Sequence, residues 1–325
     1  MIKLLIDNSI PAIDTNFAPH FQITRYCNSL DIPQLLEDNE VIVCRTNTQI
    51  NDDLLANSNI KLIGAASSGT EHIKTSSIPI VDAKGCNSAA VCDYIFAILA
   101  NLKISNTKTI GIIGFGNVGS LLAQRLMMFD FKIQVFDPFV FKPKALAVEN
   151  FLEITKTDVI IICPNYHTDT LFPTHHLINN DFFERLSANK LIINTSRGNI
   201  VDEAALISNW SGFFCTDVFQ NEPYVNSELV AKARICTPHI AGHSIEAKLR
   251  ITATLSKKIH SFFKLDFNPD NLHHTIPIRK ASWQEDILNY YNPEFESQQL
   301  KKNHSPTNFK ALRQRHIRHE FEFID

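Results

Sequence analysis

The stretch TIGIIGFGNVGSLLAQRL, residues 109–126, holds four glycines within nine positions, and the whole 325-residue chain has only ten. Gly114, Gly116 and Gly119 form G-x-G-x-x-G between a short apolar run, TIGII, and a helical pattern beginning at Asn117. Each glycine has a separate task in a turn that cradles a pyrophosphate. Gly114 permits the tight bend, Gly116 lets backbone approach the phosphates, and Gly119 lets the helix pack close to the strand. The N-terminus of that helix then faces the negative charge. Asp137 ends the next apolar run, KIQVFD, 18 residues after Gly119. A carboxylate there accepts the two hydroxyls of a ribose and repels a 2′-phosphate, so the expected cofactor is NAD rather than NADP.

Outward from this unit the chain alternates short apolar runs with helical patterns. The runs are IKLLID at the start, VIVCR (41–45), KLIGAA (61–66), IPIVDA (78–83), DVIIIC (158–163), KLIINTS (190–196), FFCTDVF (213–219) and RICTPHI (234–240). Near-continuous apolar strands separated by helices predict parallel α/β layers. Helices are expected over about 87–101 and about 243–263. After Asp266 the composition turns polar, proline-containing and then basic.

Length points to about two domains. Hydrophobic content of 44% and charged content of 20% are those of an ordinary globular chain, and a net charge of −3 leaves no footprint for nucleic acid or a polybasic membrane patch. The start, MIKLLIDNSI, reads as a first strand rather than a secretory segment, and no apolar run approaches the roughly 20 residues of a bilayer span. Seven dispersed cysteines without a C-x-x-C pair suit free thiols in a reducing cytoplasm.

Three stretches downstream each open where a predicted strand ends: NTSRGNIVDEAAL (194–206), TDVFQNEP (216–223) and TPHIAGHS (237–244). In open α/β sheets ligands bind at that edge. Oxidation of a secondary alcohol by hydride transfer needs a base for the hydroxyl proton, and His239 is the candidate. A carboxylate beside it would fix its tautomer, and Glu222 is the candidate. The forked guanidinium of Arg197 suits a substrate carboxylate and the oxygen on C2. Taken singly, each of these is more often a structural residue; their order behind a nucleotide turn favours chemistry. His175–His176 and His273–His274 read as surface pairs, and no metal site is expected.

With GFGNVG, these stretches resemble the D-isomer-specific 2-hydroxyacid dehydrogenases over roughly residues 40–260. The resemblance implies an α/β fold of two Rossmann-like parallel-sheet domains, for substrate and NAD, plus a small C-terminal dimerisation module. The expected boundaries are 1–95, completed by a helix near 250–264, for the substrate domain, then 96–249 for NAD and 265–325 for the module. The implied catalytic set is Arg197, Glu222 and His239. Cofactor contacts implied are Gly114, Gly116, Asn117, Val118, Gly119, Asp137, Thr195, Ser196, Arg197, Asp217 and Gly242.

VCRTNTQIN (43–51), GAASSGTEHI (64–73), KGCNSAAVCDYI (84–95) and the tail NPEFESQQLKKN (292–303) with FKALRQRHIRHEF (309–321) resemble one branch of that family. That branch implies NAD-dependent oxidation of 4-phospho-D-erythronate to 3-hydroxy-2-oxo-4-phosphooxybutanoate, on a route to pyridoxal phosphate, by a cytoplasmic homodimer. Implied substrate contacts are Arg45, Thr46, Ser67, Ser68, Gly69, Thr70 and His243. The tail's Arg313, Arg315 and Arg318 could reach the phosphate across the dimer. His243 stands where relatives carry a tyrosine, and Pro164 where they carry a His-Thr-Pro turn. Alternatives are another substrate such as 3-phosphoglycerate, or a non-catalytic NAD sensor on the same fold.

Overall fold

The structure is a computed structural model that describes residues 1–18, 20–267 and 279–324; the expected surface pair His273–His274 lies outside the described residues. The chain divides into two compact units. The first comprises residues 1–87 and the segment beginning at Ser244, and the second comprises residues 88–243 and the described residues from 279 on.

The first unit is built on a parallel sheet of five strands, β1 (Ile2–Asp7), β2 (Phe21–Tyr26), β3 (Val41–Cys44), β4 (Leu62–Ala65) and β5 (Ile80–Asp82). Their order across the sheet is β2-β1-β3-β4-β5. Successive residues in a strand point to opposite faces. Leu4 and Ile6 therefore join Val43, Leu62, Leu255 and Ile259 on one side, whereas Leu5 joins Ile42, Cys44, Ile63 and Ile32 on the other. Both faces are covered, which is why these strands read as unbroken apolar runs. Leu255 and Ile259 come from the long helix Ile245–Phe262, capped by Ser244, whose hydroxyl accepts from Ala247 N–H at 2.9 Å.

The second unit carries six parallel strands: β6 (Thr109–Ile113), β7 (Lys132–Phe136), β8 (Val159–Ile162), β9 (Leu191–Asn194), β10 (Phe213–Thr216) and β11 (Ile235–Cys236). Their order is β11-β10-β9-β8-β6-β7. The helix Ser88–Asn101 packs here, with Tyr94 and Phe96 fully buried against Ile110, Ile112, Ile161 and Ile193.

The polar composition after Asp266 suggests a module of its own, yet its described residues are woven into this unit. Trp283, Ile287, Tyr291 and Phe321 join the core on one face of the sheet, and Leu300, Phe309 and Leu312 join the core on the other. Its helices Glu294–Lys302 and Pro306–Arg315 supply Leu300, Phe309 and Leu312, and its short parallel pair, β12 (Arg279–Ser282) with β13 (Phe321–Ile324), supplies Phe321. No described helix is long and apolar enough to cross a membrane.

Candidate active site

In the second sheet Phe136, Ile113, Ile162, Asn194, Thr216 and Cys236 lie side by side in register. Every strand is parallel, so the chain leaves all six at one edge. With neighbours about 4.8 Å apart, that row spans roughly 24 Å. From it emerge, in spatial order, Asp137, the Gly114–Gly119 turn, Cys163–Pro164, Thr195–Arg197, the Asp217–Glu222 loop and the Thr237–His239 turn.

The glycine turn has the expected form. Gly114 adopts φ +90°, and a Cβ there would lie 2.6 Å from Pro164 N. A Cβ on Gly119 would lie 2.0 Å from the carbonyl oxygen of Gly114, so only glycine lets the helix come this close to the turn. Around Gly116 a Cβ would meet nothing within 4 Å, which leaves its backbone open to a ligand. The helix Asn117–Met128 has no side-chain cap at Gly116, and Asn117 is exposed with Val118 half-buried. Its first N–H groups can therefore turn to an anion. Asp137 accepts from Phe115 N–H at 2.7 Å on one oxygen and from Phe139 and Val140 N–H on the other. These bonds fix a half-exposed carboxylate beside the turn and leave it lone pairs for ribose hydroxyls. Thr195 Oγ1 is buried without a partner among the described residues. A dinucleotide with an unphosphorylated ribose fits this set.

His239 and Glu222 meet directly, with Nδ1 to Oε2 at 2.7 Å and side chains 30% and 20% exposed. Glu222 Oε1 accepts from Phe219 N–H at 3.0 Å. Burial works to raise the Glu222 carboxyl. The charge and hydrogen bond of His239, the Phe219 N–H and the charge of Arg313 outweigh it and hold the group below the usual carboxylate range.

The loop that carries Arg197 meets the Glu222 loop through its neighbour Gly198. A Cβ on Gly198 would lie 2.0 Å from the carbonyl carbon of Phe219, so the Arg197 loop lies backbone to backbone against the Glu222 loop. Arg197 is half-buried and donates from Nη1 to the carbonyl of Ser196 at 3.0 Å. Glu203 seals the junction by accepting from Gln220 N–H at 2.8 Å. The three loops thus converge. Ser196 itself is buried and donates its hydroxyl to the Pro164 carbonyl, bracing the turn from the far side.

Asp217, expected beside the cofactor, is wholly enclosed, and its side chain is taken up within the protein. One oxygen accepts from Thr237 Oγ1 at 2.6 Å and Ile240 N–H at 2.8 Å, and the other accepts from Ala241 N–H at 2.8 Å. Burial pushes this carboxyl up, against the pull of His239, Thr237 and the two N–H groups. Its contacts anchor the turn that carries His239 rather than reaching a ligand.

The hydroxyl of Thr237 gives its proton to Asp217, so Tyr94 OH donates to Thr237 at 2.6 Å. Neither Thr237 nor Tyr94 stands out by residue type; Thr237 lies in the TPHIAG motif, but Tyr94 is hidden in an apolar helix 143 residues away. Gly242 and His243 follow, both half-buried, and His243 N–H closes the turn on the Ile240 carbonyl at 2.8 Å.

The tail arginines separate. Arg315 is exposed and bonded to Gln299, and Arg313 is half-buried. Arg318, expected to reach across a dimer, is instead 4% exposed and donates to the carbonyls of Ala90 and Ala241 in its own chain. His175 and His176 stack at 4.0 Å, the first exposed and the second bonded to Gln220.

In the first unit, Arg45–Thr46 and Ala66–Ser67 leave β3 and β4 at one row, where Cys44 pairs with Ala65. Arg45 donates to Ser9 Oγ at 2.7 Å, Ser67 Oγ donates to the Gly69 carbonyl at 2.6 Å, and Ser68 Oγ bonds Asn87 at 2.7 Å. Among the described residues the backbone N–H groups of Ser68, Gly69 and Thr70 donate to no protein atom. That is the condition for holding an anion.

Residues 100–241 match the family model of the D-isomer specific 2-hydroxyacid dehydrogenase, NAD binding domain. An erythronate-4-phosphate dehydrogenase of Legionella pneumophila (strain Philadelphia 1) is 39% identical over 98% of this chain and 95% of its own length. One of Coxiella burnetii (strain RSA 493) is 32% identical over 100% and 94%. Among solved structures, a cofactor (NAD+) bound 3-phosphoglycerate dehydrogenase of Entamoeba histolytica is similar with TM-score 0.69 at 21% identity, covering 81% of this chain and 95% of that one. An NAD-dependent formate dehydrogenase of Staphylococcus aureus in complex with NAD has TM-score 0.66 at 21% identity, covering 82% and 98%. These two likenesses concern the fold alone.

Proposed function

The chain belongs to the D-isomer-specific 2-hydroxyacid dehydrogenase family, and on that premise we propose that it oxidises 4-phospho-D-erythronate at C2, giving 3-hydroxy-2-oxo-4-phosphooxybutanoate. It is an NAD-dependent dehydrogenase of Rossmann-like parallel-sheet architecture. The substrate is the one in the name of its full-length relatives, and its use places the protein on a route to pyridoxal phosphate.

The observation that carries the reading is the 2.7 Å His239–Glu222 pair on a loop abutting that of Arg197. Glu222 accepts the Nδ1 proton, which leaves His239 Nε2 with the lone pair that takes the C2 hydroxyl proton. The ionised carboxylate is then counter-charge to the imidazolium. Arg197 holds the substrate carboxylate and the C2 oxygen as it becomes a carbonyl. NAD, when bound, accepts the hydride from C2. The glycine turn, Asn117 and Val118 hold its pyrophosphate, Asp137 its ribose, and Thr195, Ser196 and Gly242 the parts nearer the ring.

We assign the first unit to substrate. Arg45 offers a cation to the phosphate, with Thr46 and Ser67 as further contacts, and the N–H groups of Ser68, Gly69 and Thr70 hold the carboxylate; His243, in the second unit, is a separate candidate for substrate. Self-association as a homodimer is supported by Tyr290, Phe295 and Ile317, apolar side chains 49%, 64% and 73% exposed around a groove of about 370 Å³ on the C-terminal segment. A cytoplasmic setting is supported by seven free cysteines.

The test is substitution of the base. His239→Ala and Arg197→Ala are expected to abolish turnover and keep NAD binding, measured by calorimetric titration of NAD. Full activity in either variant refutes the assignment.

A further inference from the structure

The turn that carries His239 is unusual in its backbone. His239 itself has φ +57°, the left-handed region that side chains other than glycine rarely occupy. Such a residue persists only where its surroundings over-determine it. From the sheet side Asp217 holds Thr237, Ile240 and Ala241, as described above. The carbonyl of Ala241 is gripped by a residue 77 positions further along, because Arg318 donates to it. The same Nη2 donates to the Ala90 carbonyl at 2.7 Å, and the guanidinium lies over the Tyr291 ring at 4.8 Å from its centre. A guanidinium buried to this depth is costly unless its contacts recover the lost hydration. Here Nη2 ties two main-chain carbonyls together, one of them two residues from the imidazole, while Nε and Nη1 are buried with no hydrogen-bond partner among the described residues.

The C-terminal segment touches the catalytic loops at two further points. Ser297 Oγ accepts from Cys236 N–H at 3.0 Å, where the strand before the His239 turn ends. Phe309 packs edge-on against Phe219 at 6.0 Å, and Phe219 N–H is the group that holds Glu222 Oε1. His239 and Glu222 are thus each braced from the C-terminal segment. The half-buried Arg313 also helps hold the Glu222 carboxyl in its charged form.

We propose that the segment 294–321 is a positioning element for the catalytic pair of its own chain, with Arg318 as the residue that fixes the His239 turn. The proposal rests on the roles given to His239 and Glu222 above. It assigns the tail a function in cis that is separate from any part in self-association.

The experiment compares Arg318→Met, Arg318→Lys and Phe309→Leu with the wild type. It reads kcat and KM per folded molecule, NAD affinity, mass by sedimentation, and the NMR resonance of the proton between His239 Nδ1 and Glu222. Expected are a kcat at least about tenfold lower in R318M and a smaller loss in R318K and F309L, with NAD affinity within about twofold and unchanged mass. The Nδ1 proton signal should shift or broaden in the same order. A kcat within about twofold of wild type and an unaltered proton signal in R318M overturns the proposal. So does a kcat loss that tracks only loss of dimer. If R318M is recovered unfolded, R318K and F309L decide by the same criteria. Wild-type turnover of 4-phospho-D-erythronate tests the underlying reading on its own, and the proton resonance reports positioning whether or not that reading stands.

Discussion

Replacing Glu222 by glutamine removes one charge and almost no volume, so it isolates what the carboxylate does for His239. The two side chains meet at 2.7 Å and are 20% and 30% exposed. In a medium of effective dielectric about 20, charges in such contact attract by about 4–6 kcal/mol. Water at the partly open rim screens part of this, and the glutamine amide keeps a neutral hydrogen bond, so the net loss is about 2–3 kcal/mol. That loss falls on the state in which His239 has taken up the proton. It should therefore appear as a decrease of about 30- to 160-fold in kcat/KM with NAD affinity unchanged. The assay is steady-state NADH formation from 4-phospho-D-erythronate, with NAD titrated separately. An E222Q enzyme within about threefold of wild type refutes the claim that the pair acts as a unit.

Two other outcomes follow from the same geometry. Because the Glu222 carboxyl is held below its ordinary value, its contribution to stability is present above the unfolded value, about pH 4.3, and is lost as pH falls through the lower folded value. The melting temperature of wild type should exceed that of E222Q at neutral pH, and the two should converge in acid below about pH 4; a constant difference contradicts this. In Gly198→Ala, the methyl group would stand 2.0 Å from the Phe219 carbonyl carbon, a main-chain atom that cannot swing aside. Overpacking of this kind costs about 3 kcal/mol, a fall of roughly 6–12 °C in melting temperature. Turnover should fall further than stability does, since the Arg197 and Glu222 loops are forced apart; a stable, fully active variant would sink that contact.

Most strands of both sheets were legible as apolar runs, because strands covered on both faces bury every residue. The edge strand Phe21–Tyr26 was not, since only its two ends are buried and its middle reads as polar. Among site residues, Arg197, Glu222 and His239 are legible by type and order at strand ends. Gly198 is invisible as a contact until Phe219 is placed beside it. The resemblance implies a cofactor contact at Asp217, but a motif match says nothing about what lies over the side chain; its carboxylate is 0% exposed and spans Thr237, Ile240 and Ala241. Arg318 reads as one of a basic cluster that could reach a phosphate across a dimer. Its burial depends on Ala90, Ala241 and Tyr291, residues that only the folded chain brings together.

The central claim is oxidation at C2 of one phosphorylated four-carbon 2-hydroxy acid. It is tested most directly by giving the wild-type protein NAD with 4-phospho-D-erythronate deuterated at C2, beside 3-phosphoglycerate labelled in the same way. The account predicts deuterated NADH and the 2-oxo acid from the first, with kcat/KM at least about a hundredfold higher than from the second. Unlabelled NADH, no NADH, or equal use of both acids would contradict it.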